Sequence, residues 1–211
     1  DFIRKALVDA LKVKYVCVGE NFTFGYKGAG DVEMLKEFSK RFDFCVQIEP
    51  TYRLHGNVLS STAIRENLKS GNMKAVMEML GHDYSLYGIV TRGNRLGHTI
   101  GIPTLNLYPA ESKALPPFGV YATKVSVGDD TYNAVTNIGI RPTVEDLGDK
   151  NIGAISVESN ILDKAFDREL YDEEIKVDLI EMIRPEEKFN SLDELKAAIA
   201  KDKIKALEIL N

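Results

Sequence analysis

The sequence predicts a two-domain α+β protein, with an α/β segment up to about residue 83 and an antiparallel β-barrel or sandwich after it. Two observations support this fold class. The first segment alternates helical stripes with short continuous apolar runs, which are typical of buried parallel strands. From Tyr84 onward, β-rich runs follow one another with turn signals and no helical stripe until the last part of the chain.

The α/β segment contains four predicted helices and two predicted strands. A helical stripe covers residues 2–11, and Asp31 can cap a second helix that carries Leu35 and Phe38. Two more helices are expected to end at Gly71 and Gly81, since glycine is favoured just after a helix. The predicted strands are residues 15–18 and 44–48.

The second segment contains five predicted strands and a closing helix. The strands are residues 84–91, 120–127, 131–138, 154–161 and 175–182. A hairpin turn is expected at residues 128–130, where glycine precedes two aspartates. Ser191 begins the closing helix, and Glu194 completes a capping box. The expected apolar face of that helix is Leu192, Leu195, Ile199, Ala206 and Leu210.

Composition narrows the kinds of molecule that the protein is expected to bind. The chain has 211 residues, 44% hydrophobic and 28% charged, with a net charge of −5. An acidic balance argues against a nucleic-acid partner, and no apolar run approaches the ~20 residues that span a bilayer. We therefore expect no nucleic-acid partner and no membrane-spanning segment, and a cytoplasmic location is the default. Cys17 and Cys45 lie in apolar runs and are interpreted as small buried side chains.

The richest stretch of sequence runs from Gly93 to Asn106. Three glycines, at positions 93, 97 and 101, allow backbone N–H groups to approach an anion closely, and Arg95 adds a cation. Thr104 and Asn106 alternate on an extended segment and so share one side of it. Their oxygens suit a Mg²⁺ that also binds phosphates. The alternative is a glycine-rich hairpin with two polar surface residues.

A single carboxylate stands in an otherwise weakly charged strand. Glu158 has this position, where it is suited to act as a general base for a hydroxyl group. The alternative is a solvated strand residue without a chemical role.

These pieces, taken in order, resemble the riboflavin kinase family. The resemblance covers the whole second segment. Its motifs are the glycine loop with residues 101–106 (Gly-Ile-Pro-Thr-Leu-Asn), Gly119-Val120-Tyr121, residues 137–143 (Asn-Ile-Gly-Ile-Arg-Pro-Thr), Val157-Glu158, Leu170-Tyr171 and residues 184–189 (Arg-Pro-Glu-Glu-Lys-Phe).

The resemblance implies a small Greek-key barrel that phosphorylates riboflavin to FMN with ATP and Mg²⁺. Thr104 and Asn106 would hold the metal and the ATP phosphates, Glu158 would be the base for the ribityl 5′-hydroxyl, and Arg184 and Glu186 would lie in the flavin-binding part. The implied ATP contacts are Gly93, Arg95, Gly97, His98, Gly101, Pro103 and Thr104. A non-catalytic flavin-binding module on the same barrel is the alternative.

Four positions depart from the family pattern. They are Leu105, where alanine is usual, Asn160, where histidine often follows the base by two, Asp172, where glycine is usual, and Asn21, where aspartate is usual in the preceding domain. Asn160 shares a strand face with Glu158, so it is expected to affect how that carboxylate is oriented.

The first segment resembles the FMN adenylyltransferase domain of bifunctional bacterial FAD synthetases, a Rossmann-like nucleotidyltransferase. Residues 19–25 and 59–65 carry this resemblance. Ser60, Ser61 and Thr62 open a helix whose hydroxyl and N–H groups suit a phosphate, and Arg65 adds charge. The alternative is an ordinary Ser/Thr helix cap. None of the histidines fits the family's His-x-Gly-His motif, so we expect the domain to be truncated and adenylyl transfer to require the full-length parent.

Overall fold

The computed structural model describes residues 1–91, 104–140, 155–162 and 170–211. The chain divides into two compact units, Asp1–Ser60 and Ser61–Asn211. Among the described residues, no helix combines the length and the apolar character that crossing a lipid bilayer would require.

The first unit contains two parallel strands, two longer helices, a short 3₁₀-helix (Tyr26–Gly28) and a short hairpin. Strands β1 (Tyr15–Gly19) and β2 (Cys45–Glu49) pair in parallel, and β3 (Arg53–Leu54) pairs with β4 (Asn57–Val58). The helices are an N-terminal π-helix, Phe2–Ala10, and α1, Val32–Phe42. The Asp31 carboxylate accepts from the Met34 backbone N–H at 2.8 Å, as the sequence predicted. The core centres on Ile3, Leu35 and Phe44.

The prediction that the cysteines are buried is wrong. Cys17 and Cys45 are both exposed. Along β1 and β2 exposed and half-buried residues alternate, because the core lies on one face of this two-stranded sheet. The apolar runs that suggested two-sided burial therefore belong to strands that are covered on one side.

The second unit is built around a six-stranded antiparallel sheet. Its order is β5-β10-β7-β8-β9-β6, with bounds Tyr84–Ile89 (β5), Leu105–Leu107 (β6), Gly119–Val127 (β7), Asp130–Ile140 (β8), Ile155–Ile161 (β9) and Glu174–Pro185 (β10). The partial order β10-β7-β8-β9 is that of a Greek key. The five predicted strands are confirmed with small shifts at their ends, and β6 was not predicted as a strand.

The two edges of this sheet meet at a seam just beyond β5. The Thr91 N–H donates to the Asn106 carbonyl at 2.8 Å, and the Thr91 hydroxyl donates to the same oxygen at 3.3 Å. Gly88 permits this approach, since a Cβ there would lie 3.2 Å from Leu107 side-chain atoms. The sheet therefore curls until β5 and β6 touch.

The two faces of the sheet bury different layers. The inner face encloses the main core, which includes Leu86, Tyr121, Ile138 and Val177. A chain of buried hydroxyls, Thr123–Thr136–Ser159, crosses three strands on this face at 2.7 and 2.8 Å. The outer face of β7 and β8 packs Val120, Ala122 and Val135 against Ala206 of the C-terminal helix.

The C-terminal helix α4 spans Leu192–Leu210. Ser191 caps it as predicted, accepting from the Glu194 N–H at 3.2 Å, while the Glu194 carboxylate accepts from the Asn190 N–H at 2.9 Å. Leu192, expected on the apolar face, is 58% exposed. It occupies the first position of the helix, before the turn that reaches the sheet.

Two short helices precede the barrel and belong to its compact unit. Helices α2 (Ser61–Lys69) and α3 (Met73–Leu80) bury Leu68, Met73 and Val76 in the main core. The boundary between the two compact units therefore falls between Ser60 and Ser61, whereas the change in sequence pattern placed the domain boundary near Asp83. The assignment of residues 1–83 to one domain and 84–211 to another stays a prediction.

Candidate functional site

A row of neighbouring positions crosses the outer face of the barrel. Pairing places Asn106 of β6 opposite Glu158 of β9, and Glu158 opposite Asn137 of β8. The row continues through Val120 of β7 to Arg184 of β10. Side chains of directly opposed strand residues lie about 5 Å apart. The antiparallel register thus brings residues that are far apart in sequence onto one strip of surface.

A cavity of about 270 Å³ opens along this strip, beneath helix α4. Its polar lining comes from the segment before β6, from β8 and β9, from the end of β10 and from the helix, and its apolar lining comes mainly from β7, β8 and the helix. The described lining residues are Thr104, Val120, Val135, Asn137, Glu158, Asn160, Arg184, Glu186, Glu187, Phe189, Leu195, Ile199 and Asp202.

Thr104 and Asn106 lie next to each other at the β6 side. The Asn106 side-chain amide donates to the Thr104 carbonyl at 3.2 Å and to the Thr104 hydroxyl at 3.4 Å. Both residues are half-buried. Since Glu158 is directly across from Asn106, three kinds of oxygen donor meet in a small area: hydroxyl, amide and carboxylate.

A buried ion pair closes the opposite side of the cavity. Arg184 binds the Asp202 carboxylate through Nε at 3.0 and 3.2 Å and through Nη2 at 2.8 Å. The side chains of Arg184 and Asp202 are 19% and 6% exposed. The guanidinium also lies 5.4 Å from the centre of the Phe189 ring. This pair joins strand β10 to helix α4.

Glu186 occupies a notch that a glycine leaves open. Its carboxylate lies where a Cβ at Gly139 would be, and the Asn137 amide nitrogen flanks the same space. A side chain at position 139 would therefore displace Glu186. The conformation of this glutamate depends on a small residue in β8.

The structure brings five of the predicted site residues to one cavity and leaves others elsewhere. Thr104, Glu158, Arg184 and Glu186 line it, and Asn106 is adjacent through Thr104. The predicted ATP contacts Gly93, Arg95, Gly97, His98, Gly101 and Pro103 lie outside the described residues. Ser61, Thr62 and Arg65 are exposed in the first turns of α2, after the half-buried Ser60, and none of these four lines the cavity.

Several lining residues were not predicted. Asp202 is the clearest case, because its signal was present in the sequence: an acid occupies the position between Ile199 and Ala206 that the helical spacing places on the buried face. Asn137 was quoted within a family motif but given no role. The register that sets it beside Glu158 becomes visible only in the folded sheet.

A second, wider cavity of about 700 Å³ lies at a different part of the barrel. There Asp178 accepts from the Ser85 hydroxyl at 2.6 Å and pairs with Lys176 at 2.8 Å. The hydrogen bond that Lys176 donates to Asp178 raises the pKa of Lys176. Nearby, burial lowers the pKa of Lys113, which lies 4.2 Å from the centre of the Tyr84 ring.

Comparison with known proteins identifies the family. Residues 80–210 match the family described as riboflavin kinase, and residues 1–63 match the family described as FAD synthetase. The bifunctional riboflavin kinase/FMN adenylyltransferase of Escherichia coli K12 is 39% identical over 209 residues, covering 99% of this chain and 64% of that protein. The Bacillus subtilis protein of the same name is 36% identical, covering 93% of this chain and 60% of that protein.

A solved structure shares the fold over nearly the whole chain. It is described as a macrolide-efflux protein from Streptococcus pneumoniae, with a TM-score of 0.78 and 30% identity, and the match covers 95% of this chain and 62% of that one. The chain thus spans less than two thirds of the length of these relatives. Its matched region, residues 80–210, contains the six-stranded barrel and α4 with the cavity between them, and on this match the chain belongs to the riboflavin kinase family.

Proposed function

We propose that this protein is a riboflavin kinase, which transfers the γ-phosphoryl group of ATP to the 5′-hydroxyl of the riboflavin ribityl chain and yields FMN and ADP. One observation carries the proposal. A carboxylate, Glu158, lies in a cavity between the barrel and α4, directly across from the Thr104–Asn106 oxygen cluster. The family match and the names of the relatives support the same reaction.

Glu158 is assigned the role of general base. As the 5′-oxygen forms its bond to the γ-phosphorus, the bond from that phosphorus to the β,γ-bridging oxygen breaks and ADP leaves. The hydroxyl proton passes to a Glu158 carboxylate oxygen. Because phosphoryl transfer has a loose transition state, most of the rate enhancement comes from alignment and charge neutralisation, and the base contributes a smaller part.

The residues present fit a Mg²⁺ ion that arrives with ATP. Mg²⁺ prefers oxygen ligands and commonly keeps water and substrate phosphates in its shell. The described residues contain no group of three or more His, Cys, Asp or Glu side chains able to enclose a metal. In this proposal the Thr104 hydroxyl and the Asn106 amide oxygen, which belong to adjacent side chains, would hold the ion together with the ATP phosphates. When bound, the ion neutralises charge on the transferring group.

The apolar side of the cavity suits a flavin ring. Val120 and Val135 on the sheet face Leu195 and Ile199 on the helix, with Phe189 between β10 and α4. Planar aromatic ligands are usually held by such apolar walls with a few polar groups that fix orientation. We place the isoalloxazine ring there, near Arg184 and Glu186, with the ribityl chain directed toward Glu158.

A flavin-binding module without catalysis is the weaker candidate. Binding alone needs neither a pair of oxygen ligands at Thr104 and Asn106 nor a carboxylate opposite them. For the first unit, the match of residues 1–63 to FAD synthetase supports the proposal that Ser60, Ser61, Thr62 and Arg65 belong to an adenylyltransferase phosphate site. A cytoplasmic location and the absence of nucleic-acid and membrane partners remain predictions.

Product analysis tests the proposal. The chain is incubated with riboflavin, ATP and Mg²⁺, and riboflavin, FMN and FAD are then separated by chromatography. We expect FMN to form, to depend on ATP, and to stop when EDTA removes the metal. A reaction with FMN and ATP is expected to give no FAD. Riboflavin binding without FMN formation would instead support the non-catalytic module.

A further inference from the structure

The geometry of the Arg184–Asp202 pair brings opposite charges together and also fixes the relative orientation of the two side chains. Two nitrogens of the guanidinium, Nε and Nη2, bind the same carboxylate, with both carboxylate oxygens used. Such two-point pairing constrains the angle between the partners, which a single ammonium contact does not. Because Asp202 is buried and Arg184 is half-buried, solvent screens the pair less than it would on a surface.

The Arg184 guanidinium contacts protein oxygens on several sides. Nη1 donates to the Pro185 carbonyl at 3.2 Å and lies 3.7 Å from a Glu187 carboxylate oxygen. An arginine has five N–H donors, and three of its nitrogens here already face protein oxygens. Arg184 is therefore arranged to hold other parts of the cavity wall in place.

One face of helix α4 packs against the barrel, and Asp202 lies between the two parts of that face. On one side are Leu195 and Ile199, which line the cavity. On the other side Ala206, with Ile209 and Leu210, packs against Val120, Ala122 and Val135. The C-terminal half of α4 is thus held by apolar packing, whereas the cavity-lining half is joined to the sheet by the ion pair.

We infer that Arg184 and Asp202 are positioning residues for the flavin substrate: their ion pair holds the cavity-lining half of α4 at the spacing that the isoalloxazine ring requires. The inference rests on the proposed function for the identity of the ligand. The ATP side of the site, at Thr104 and Asn106, lies at the β6 end of the strip, and β9, β8 and β7 separate it from Arg184 on β10. Loss of the pair should therefore weaken riboflavin binding selectively.

The test compares Asp202→Asn and Asp202→Glu in the full chain. Riboflavin binding is measured by its fluorescence without ATP, and KM for ATP is measured at saturating riboflavin. We expect Asp202→Asn to weaken riboflavin binding by roughly tenfold, near the lower end of the effect of losing a hydrogen bond to a charged group, with KM for ATP within about twofold of the wild type. Asp202→Glu, which keeps the carboxylate, should restore part of the affinity.

Glu208→Gln is the matched control, since it neutralises an exposed acid on the same helix. Unchanged riboflavin binding in Asp202→Asn would overturn the inference, as would an equal loss for riboflavin and ATP. If Asp202→Asn does not fold, the test rests on Asp202→Glu, which should also weaken riboflavin binding without a matching change in KM for ATP.

Hydrogen exchange separates this inference from the proposed function. Without any substrate, amide exchange in Asp202→Asn should be faster than in the wild type, and the increase should be larger in residues 192–202 than in residues 206–210. Equal exchange in both halves would overturn the positioning role. If wild-type protein fails to bind riboflavin, the proposed ligand is wrong, while the exchange result still reports whether the pair holds the helix.

Discussion

Glu158 owes its proposed role to its neighbours. On either side of it in the sheet are amides, Asn106 of β6 and Asn137 of β8. A carboxylate within hydrogen-bond reach of a substrate hydroxyl can take its proton as the new bond forms. Its position on the wall of the cavity then decides which hydroxyl it can reach.

Replacing Glu158 with glutamine should abolish most turnover and leave binding intact. The substitution keeps size and hydrogen bonding but removes the charge that accepts the proton. General-base assistance is worth about 10²- to 10⁴-fold, and a loose transition state favours the lower end. Single-turnover FMN formation checks this, with Glu174→Gln, an exposed acid on β10, as the control. Near-normal turnover at saturating ligands would remove Glu158 from the mechanism.

Thr104→Ala and Asn106→Ala should weaken the use of Mg·ATP while the protein stays folded. Each removes one oxygen from the cluster opposite Glu158. We expect a higher Mg²⁺ requirement and a higher KM for ATP, with riboflavin binding unaffected. Initial rates across a Mg²⁺ series provide the measurement. Wild-type dependence on ATP and Mg²⁺ in either variant would contradict the metal role.

For single residues, the sequence selected several side chains that lie close together in the structure, but it did not identify all of their neighbours. Thr104, Asn106 and Glu158 were selected by side-chain type and by resemblance, and the structure gathers them at one cavity. Asn137 and Asp202 were missed because their importance depends on which strand lies beside which, or on a partner 18 residues away in sequence. Such proximity is set by the tertiary fold and leaves little local pattern.

Among the elements, strand β7 is anchored by a tyrosine that bonds back to its own approach loop. The Tyr121 hydroxyl donates to the Pro117 carbonyl at 2.6 Å, and the side chain is fully buried. Burial raises the pKa of Tyr121 to about 12. The bond fixes the chain where it enters β7, next to the Gly119–Pro185 pairing with β10.

Tyr121→Phe should lower the free energy of unfolding by about 1–2 kcal/mol, because it leaves a carbonyl without its donor. The folded state holds the phenol proton more tightly than the unfolded chain, so this residue's contribution is present below pH 10 and is lost as the pH rises toward 12. The difference between wild type and variant should therefore shrink over that range. Urea unfolding at several pH values measures it, with the exposed Tyr87→Phe as control. A constant difference would contradict the assignment.

Element prediction succeeded where a segment shows its own periodicity. The long strands and α4 each carry enough residues to reveal alternation or a helical stripe. β6 has three residues and follows the glycine loop, so no local alternation could reveal it. The exposure of Cys17 and Cys45 was mispredicted for a related reason: an apolar run does not specify how many faces of its sheet are covered.

For the whole molecule, the compact units predict which fragments fold. A fragment beginning at Ser61 retains Leu68, Met73 and Val76 in the main core, whereas one beginning at Asp83 loses all three. Removing a buried large side chain typically costs about 2–5 kcal/mol, and whole domains have only about 5–15 kcal/mol. We therefore expect the Ser61 fragment to fold with kinase activity and the Asp83 fragment, the boundary that the sequence pattern favoured, to be markedly less stable.

Thermal unfolding and FMN formation by the two fragments, beside the full chain, provide the measurement. Equal melting temperatures for both fragments would show that α2 and α3 contribute little to the barrel. An inactive but folded Ser61 fragment would show instead that the first unit contributes to the reaction.

At the seam between β5 and β6, the backbone and the side chain of one residue have different roles. Asn106 closes the barrel with its backbone carbonyl and is proposed to bind metal with its side chain. Replacing the Asn106 side chain leaves the closing backbone hydrogen bond in place. Variants at this position should therefore fold and reach normal abundance but lack the proposed kinase activity. In a cell such a variant would bind riboflavin reversibly, one molecule per copy of the protein, without converting it to its phosphate.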